Sequence, residues 1–419
     1  MLDIKYLREH VKEIKTNCAN RLAKVDIDLI IKLDSDYRAS LATTQALREE
    51  RNAQSKTKPT PEIIERMKTI GNQIQAQENA ATVVQEKLFE LLLAVPNLTH
   101  NEVKISTNED DNVILEQVGE PTAFDFTPLD HLALAEKHDW LELDRATKVT
   151  GAKFYYLKGD LARLELALIN YTIDIITKHG YEFVTTPDLA KTDLINRLGF
   201  SPRGESTQVY NLADSDLSLI GTAEITLGGL YADETLKASE LPKKYVGLSH
   251  CYRTEAGSYS KFSKGLFRVH QFSKVEMFVF AEPEVAESIH QEILDIEKEI
   301  FNGLEIPYKV IDHCTADLGN PSFRTFDLEA WMPGKPAKDE TNGDWAEVTS
   351  TSNCTDYQAR GLNIKYDNGT ERNYLYTLNG TGIATTRGLI AILENHQQAD
   401  GSIKVPKALQ PYLDNKQVL

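Results

Sequence analysis

Residues 63 to 95 constrain this chain more than any other stretch. Ile63, Met67, Ile70, Ile74, Gln77, Ala81, Val84, Leu88, Leu91 and Val95 step by four and three without a break. That is a seam sustained over more than four heptads, the signature of one long helix packed along another. A weaker companion stripe runs through residues 27 to 52: Ile30, Leu33, Tyr37, Leu41, Thr44 and Leu47. Between the two, "SKTKPTPE" sets Pro59 and Pro61 two apart, which no helix interior tolerates. "VPNLTH" at 95 to 100 closes the second helix. The pattern predicts an antiparallel helical hairpin over residues 27–95, its second helix roughly 50 Å long at about 1.5 Å per residue.

Packing or oligomerisation alone could account for such a hairpin, but its tip carries a charge signal. From Arg48 to Lys68 the bases Arg48, Arg51, Lys56, Lys58, Arg66 and Lys68 face Glu49, Glu50, Glu62 and Glu65, leaving +2 on a chain of formal charge −17. The acidic body argues against non-specific nucleic-acid binding, which needs basic surface. A basic tip suits an extended anion such as RNA, with a solvated charged tip as the alternative. The N-terminal "MLDIKYLREHVKEIKTN" lacks the apolar stretch of a signal peptide, and no run of about 18 apolar residues predicts a membrane span. Cys18, Cys251, Cys314 and Cys354 form no CxxC pair, which fits reduced cytoplasmic thiols and no zinc site.

Residues 106 to 130, with "NEDDN" and scattered prolines, read as a linker or excursion. Beyond about residue 131, helical stripes (161–179, 283–303, 386–397) separate extended apolar segments such as "YEFVTTPDL", "KKYVGLSHCYRTE", "FRVHQFSKVEMFVF", "FRTFDLEAWM" and "RNYLYTLNG". Strands follow strands, so the expected class is α+β with a mainly antiparallel sheet. Neither GxGxxG nor GxxxxGK[ST] occurs, so the common phosphate loops are absent.

Two of these segments carry the chemistry. In "FRVHQFSKVEMFVF" (267–280), read as one strand, Arg268, Phe272 and Glu276 share a face. "LSHCYRTEAG" ends in Arg253 and Glu255, two apart, and the chain returns through "AGSYSKFSKG". The two are expected to pair as a hairpin with a long polar loop. Arginines grip phosphate oxygens with a bidentate geometry lysine lacks. A ring stacks on a nucleobase, and a carboxylate accepts from amine or ammonium. That inventory reads a nucleotide and an amine; a solvent face laced with cross-strand ion pairs is the simpler alternative.

The whole segment "YRTEAGSYSKFSKGLFRVHQFSKVEMF" resembles motif 2 of class II aminoacyl-tRNA synthetases, in the form found in bacterial-type seryl-tRNA synthetases. Other segments match that family in order. "GYEFVTTPDL" resembles motif 1, with Pro187 where these enzymes form their homodimer interface. "GTAEITLGGLY" (221–231) resembles the serine-binding TxE loop. "EVTSTSNCTDYQARGLNIKY" (347–366) resembles the metal and ATP strand. "NGTGIATTRGLIAILENHQQADGSIKVPKALQPYL" (379–413) resembles motif 3 and the C-terminus. The hairpin is similar to the family's tRNA-binding arm. By contrast "KFSKG" (261–265) only mimics the KMSKS loop of class I enzymes, whose parallel sheet and HIGH-like sequence are missing.

The resemblance implies a class II catalytic domain over 106–419, an antiparallel sheet with flanking helices, and an N-terminal tRNA-binding domain over 1–105. It implies that Arg253 meets the α-phosphate and the substrate carboxylate, and that Glu255, beside Thr254, reads the adenine amino group. Phe272 stacks on adenine, while Arg387 covers its other side or holds the γ-phosphate. Arg268 contacts phosphate, with Val269 offering backbone nearby. Glu347 and Ser350 hold Mg²⁺ with ATP, and Val348 and Thr349 line the same strand. Thr222, Ala223, Glu224, Glu276 and Thr381 read serine, with Asn379 supporting Thr381. Arg48, Arg51, Lys56, Lys58, Lys261 and Lys264 would meet tRNA(Ser). Thr226 stands where many members have proline, and Lys261 and Lys264 where many have arginine. These departures touch loop order and acceptor contact, not activation. Read from the residues alone, Thr222 and Glu224 could be an ordinary helix start, and His250, His270 and His396 need no catalytic role, because activation rests on charge stabilisation and positioning.

The implied activity is that of a cytoplasmic, homodimeric ligase. It activates L-serine with Mg-ATP to seryl-adenylate and transfers serine to the 3′-terminal ribose of tRNA(Ser), releasing AMP and pyrophosphate. A non-catalytic RNA-binding relative would show eroded ligands, yet Arg253, Glu276, Glu347 and Arg387 are all present. An amino acid:carrier-protein ligase would lack the long arm.

Overall fold

The computed structural model describes residues 1–56, 58–200, 208–256, 262–337 and 342–419. They form two compact units, Met1–Leu98 and Thr99–Leu419.

In the first unit, helix α1 (Ile27–Gln54) packs against helix α2 (Pro61–Leu93). Thr60 starts α2 by accepting from the Ile63 N–H, and Pro61 occupies its first turn, where a missing N–H does no harm. Ile70, Ile74, Ala81, Leu88 and Val95 of the seam are buried, and its remaining members are partly covered. The companion stripe differs from expectation. Leu41 is 46% exposed. The neighbouring Ser40 faces α2 instead, its hydroxyl 3.0 Å from the Gln77 Oε1. A serine meeting a glutamine inside the seam explains why α1 reads weakly as an apolar repeat. Arg48–Glu78 and Arg66–Glu50 pairs, at 2.7 and 2.6 Å, link the helices further along.

The second unit is built on an eight-stranded sheet. Its strands are β1 (Val113–Val118), β2 (Glu182–Thr185), β3 (Lys243–Tyr252), β4 (Gln271–Ala281), β5 (Tyr308–Asp312), β6 (Arg324–Pro336), β7 (Asn342–Asn353) and β8 (Tyr376–Ala384). They lie in the order β1-β5-β6-β7-β8-β4-β3-β2. All neighbours are antiparallel except β2 and β3. The segment read as a linker therefore supplies an edge strand, β1, whose largely exposed face hid its alternation.

Three helices cover one face: α3 (Gly159–Lys178), α4 (Pro283–Gly303) and α5 (Thr385–Asn395). Leu161, Leu164, Leu168, Tyr171 and Ile175 make the buried stripe of α3; Ala286, Ile289, Ile293, Ile296 and Ile300 make that of α4. β4 is buried on both sides and divides by parity. Val275, Met277, Val279 and Ala281 enter the main core with those helices. Phe278 and Phe280 enter a second core on the other face. Where α4 crosses β8 the sheet carries Gly380. A Cβ there would lie 2.2 Å from the Ile293 Cγ2 and 2.9 Å from the Glu297 Oε1, so the helix seats on bare backbone.

A Gly380→Ala change should therefore cost about 1–3 kcal/mol by overpacking. Urea unfolding would read it as a lower midpoint; an unchanged midpoint would mean that α4 can slide.

Candidate active site

A cavity of about 530 Å³ opens on the sheet face opposite α3, α4 and α5. Phe272, Lys274 and Glu276 line it from β4, because their parity is opposite to that of Val275 and Met277. Gly247, the Cα partner of Glu276 on β3, keeps this face low. A Cβ there would meet the Leu227 Cδ1 at 3.0 Å and the Ala223 Cβ at 3.2 Å, so the short helix Ala223–Gly228 seats directly on the strand.

The expected straight strand from residue 267 does not form. β4 starts at Gln271, and Arg268 and Val269 lie in the turns before it. β3 likewise ends at Tyr252, so Arg253 and Glu255 follow the strand, with Glu255 at φ +50°. The loop tightens at His270: its N–H reaches the Lys153 carbonyl, its ring nitrogen Nδ1 lies 3.0 Å from the Arg253 carbonyl, and its own carbonyl accepts from the Arg253 N–H. His270 thus ties the ends of the two strands together through backbone groups. The requirement that three residues line up along one extended strand disappears with this turn.

At this end of the cavity Arg253, Glu255, Arg268, Val269, Phe272 and Arg387 all line the wall. The Arg268 Nη1 donates to the Glu255 Oε2 at 3.0 Å. The Arg253 guanidinium lies 5.4 Å from the Phe272 ring centroid, and its Nε donates to the Gly221 carbonyl at 3.3 Å. Arg387 stacks instead on Phe267, 4.1 Å from that centroid, and donates to the Phe267 and Glu347 carbonyls. Thr254 is not among the lining residues; its N–H is spent on the Gln208 carbonyl.

Glu347 and Ser350 come from β7. Three apart, they would face opposite ways on a regular strand. The β6–β7 register slips between Leu328 and Glu329: Thr349 faces Leu328 and Glu347 faces Glu329, which leaves Val348 as an extra residue. This bulge restores a common face. Val348 enters the main core and the Thr349 hydroxyl donates to the Glu297 Oε2 at 2.7 Å, both away from Glu347 and Ser350. Opposite Ser350 in register stands buried Asp327, 2.8 Å from the His313 Nε2. Burial works against charge on His313, but Asp327 and then Asp317 outweigh it and raise the imidazole to about 10.

The other end of the cavity is more enclosed. Buried Thr222 caps its helix by accepting from the Glu224 N–H at 3.2 Å, so the ordinary helix-start reading holds locally. Glu224, however, is buried in the cavity wall. Its Oε1 accepts from the Gln358 Nε2 at 2.7 Å and the Asn379 Nδ2 at 3.3 Å. Asn379 thus braces Glu224, where support of Thr381 was expected. Burial, reinforced by Glu276, pushes Glu224 up to about 7. Glu276 and Thr381 are direct cross-strand partners, with the Thr381 hydroxyl 3.3 Å from the Glu276 Oε2. Lys274, Gln358 and Cys354 were missed. Lys274 alone had a readable signal, since it falls between Phe272 and Glu276 on the same parity.

Several expected residues lie elsewhere. Arg48 and Arg51 belong to the end of α1, Lys56 and Lys58 follow it, and Arg48 is engaged by Glu78. Lys264 pairs with Asp130, and Lys261 lies outside the described residues. Pro187 is exposed just beyond β2. Among the described residues no three His, Cys, Asp or Glu side chains form a metal-binding group, none of the four cysteines forms a disulfide, and no helix is long and apolar enough to cross a membrane.

Comparison with known proteins places this geometry. Residues 1–99 match the seryl-tRNA synthetase N-terminal domain, and residues 209–396 match the tRNA synthetase class II core domain (G, H, P, S and T). The serine–tRNA ligase of Treponema denticola is 46% identical, with 98% of each chain covered. That of Rubrobacter xylanophilus is 44% identical over 99% of this chain and 98% of its own. The crystal structure of seryl-tRNA synthetase from Pyrococcus horikoshii complexed with ATP superimposes with a TM-score of 0.89 at 37% identity, covering 100% of this chain and 99% of that one. With relatives this similar along the full length and a cavity that gathers paired arginines at one end and buried acids at the other, the chain belongs to the seryl-tRNA synthetase family.

Proposed function

We infer that this chain is a serine–tRNA ligase, which activates L-serine with ATP and transfers the seryl group to the 3′-terminal ribose of tRNA(Ser). The observation that carries the reading is the single cavity joining Arg253 and Phe272 to Glu224, Glu276 and Thr381.

In activation a serine carboxylate oxygen attacks the α-phosphorus while the bond to the pyrophosphate oxygen breaks. Arg253, between Phe272 and the acidic end, meets both carboxylate and α-phosphate and offsets charge that builds during the displacement. Phe272 stacks on adenine, and Glu255, held by Arg268, accepts from its amino group. Arg387 is fixed by two backbone carbonyls and by Phe267, so its remaining donors face phosphate without reorganisation. Glu224 and Glu276 accept from the ammonium, and Glu276 with Thr381 read the side-chain hydroxyl. In transfer the ribose hydroxyl attacks the seryl carbonyl and AMP leaves.

Glu347 and Ser350 fit a hard cation. The bulge turns both oxygens to the cavity, and two protein ligands suit an ion that shares phosphate oxygens and water. Mg²⁺ held there by Glu347 and Ser350 would act as a Lewis acid that offsets phosphate charge. We assign the hairpin with Arg51, Lys56 and Lys58 to tRNA(Ser), a homodimer contact to the surface around Pro187, and the chain, whose cysteines form no disulfide, to the cytoplasm.

Purified protein should exchange pyrophosphate into ATP only when serine is present, and Arg253→Lys should lower the exchange kcat by about 10²–10³; serine-independent exchange, or none, contradicts the reading. Because Glu224 sits at about 7, it is neutral below that pH and cannot pair with an ammonium. The kcat/KM for serine should then drop about tenfold per pH unit below that point, and Glu224→Gln should flatten this limb; an unchanged acid limb in the variant would assign it to another group. Deleting residues 30–92 should spare exchange and sharply reduce tRNA charging, and an equal loss of both would make the hairpin a folding element.

A further inference from the structure

We propose that Lys274 is the positioning residue for hydroxyl recognition: it fixes Glu276 and Thr381 in the geometry that separates serine from amino acids lacking the hydroxyl. The assignment rests on the serine-binding reading above and adds a residue to it.

A lysine is almost never fully buried unless paired. Lys274 is 6% exposed, and it lines the cavity rather than the core. Lys274 and Glu276 are two apart on β4 and so share a face. The Lys274 Nζ lies 2.5 Å from the Glu276 Oε2. It also reaches the Thr381 Oγ1 at 3.5 Å, the outer limit of a hydrogen bond, and that hydroxyl lies 3.3 Å from the same Glu276 oxygen. The three groups close a ring. Lys274 has only N–H groups to give, so the Thr381 oxygen accepts from it and the Thr381 O–H must turn to Glu276. The amine thereby sets the direction of a hydroxyl rotor and holds a carboxylate that would otherwise be free to turn.

The neighbours make the amine hard to replace. On β3, the Cα partners of Glu276 and Lys274 are Gly247 and Ser249, neither of which carries charge. The nearby acids are Glu297 and Glu224; burial and then Glu276 push Glu224 up, while Gln358, Lys274 and Arg253 draw it down. Without Lys274, Glu276 would face Glu224 across the pocket with one oxygen short of its closest donor. A carboxylate displaced from Thr381 no longer presents the pair that a serine hydroxyl needs, whereas the carboxylate and phosphate contacts of Arg253 and Arg387 lie elsewhere in the cavity. An ion pair that served stability alone would not need to reach Thr381 or to line the cavity.

The test compares three constants in pyrophosphate exchange: KM for serine, KM for ATP and the inhibition constant of alanine competing with serine. Lys274→Met, similar in length and without donors, should raise the serine KM about tenfold or more, leave the ATP KM within about threefold, and raise the alanine constant clearly less than the serine KM, because alanine shares only the ammonium contact of Glu276. All three constants belong to the same protein molecules, so partial unfolding cannot mimic this split. Equal shifts in all three, or no shift, overturn the assignment. If the Met variant does not fold, Lys274→Gln, which keeps a donor at shorter reach, must show the same split in smaller measure; a uniform change in it overturns the assignment equally. Serine-dependent exchange by the unaltered chain is the control. Its absence strikes the serine-binding reading and this inference together, whereas exchange without the split strikes only Lys274.

Discussion

The two-sided burial of β4 is the constraint on which the second unit depends. One strand must satisfy an apolar core on one side and a polar cavity on the other, and it can do so only through strict alternation. Val275, Met277 and Val279 tie it to the helices, while Phe272, Lys274 and Glu276 face the cavity. A slip of one residue would exchange these sets, burying two charged groups in hydrocarbon and opening the core to water. The pairing of Glu276 with Thr381 on β8 and with Gly247 on β3 locks that register from both sides. Positioning of the site and stability of the sheet are therefore one property of the same backbone ladder.

The departures from regularity lie where the site needs them. A single extra residue at Val348 turns Glu347 and Ser350 to a common face and sends Thr349 to Glu297 on α4. Glu297 is fully buried, and burial holds its carboxyl well above the usual range, so a neutral acid can accept the threonine hydroxyl at modest penalty. Asp327 backs Ser350 from the neighbouring strand and is itself paired with His313. These polar groups brace the strand that carries Glu347 and Ser350 without adding a flexible side chain to the cavity.

The hairpin of the first unit obeys a looser rule. Its seam is read easily on α2, where apolar residues hold nearly every position, and poorly on α1, where Ser40 and Thr44 take core places. Polar residues inside such a seam lower its stability and fix its alignment. The Ser40–Gln77 contact and the Arg66–Glu50 pair agree on one antiparallel register, and the longer Arg48–Glu78 pair ties the helices diagonally across it.

The sequence by itself determined the elements and the inventory. Heptad spacing gave the hairpin, proline pairs its turn, alternation the strands, and the ordered motifs the residues that gather in the cavity. It determined these because periodicity and backbone chemistry are local. Tertiary structure alone decided the rest. It ended β4 at Gln271 and turned Arg268 in from a loop, recruited β1 from an apparent linker, and set Leu41 outside the seam with Ser40 inside it. It brought Asn379 to Glu224, and through the bulge it made two residues three apart share a face. Each of these depends on which strand or helix lies opposite, a partner hundreds of residues away in some cases, and side-chain direction in a sheet is fixed by that partner's register as much as by the residue's own place in the chain.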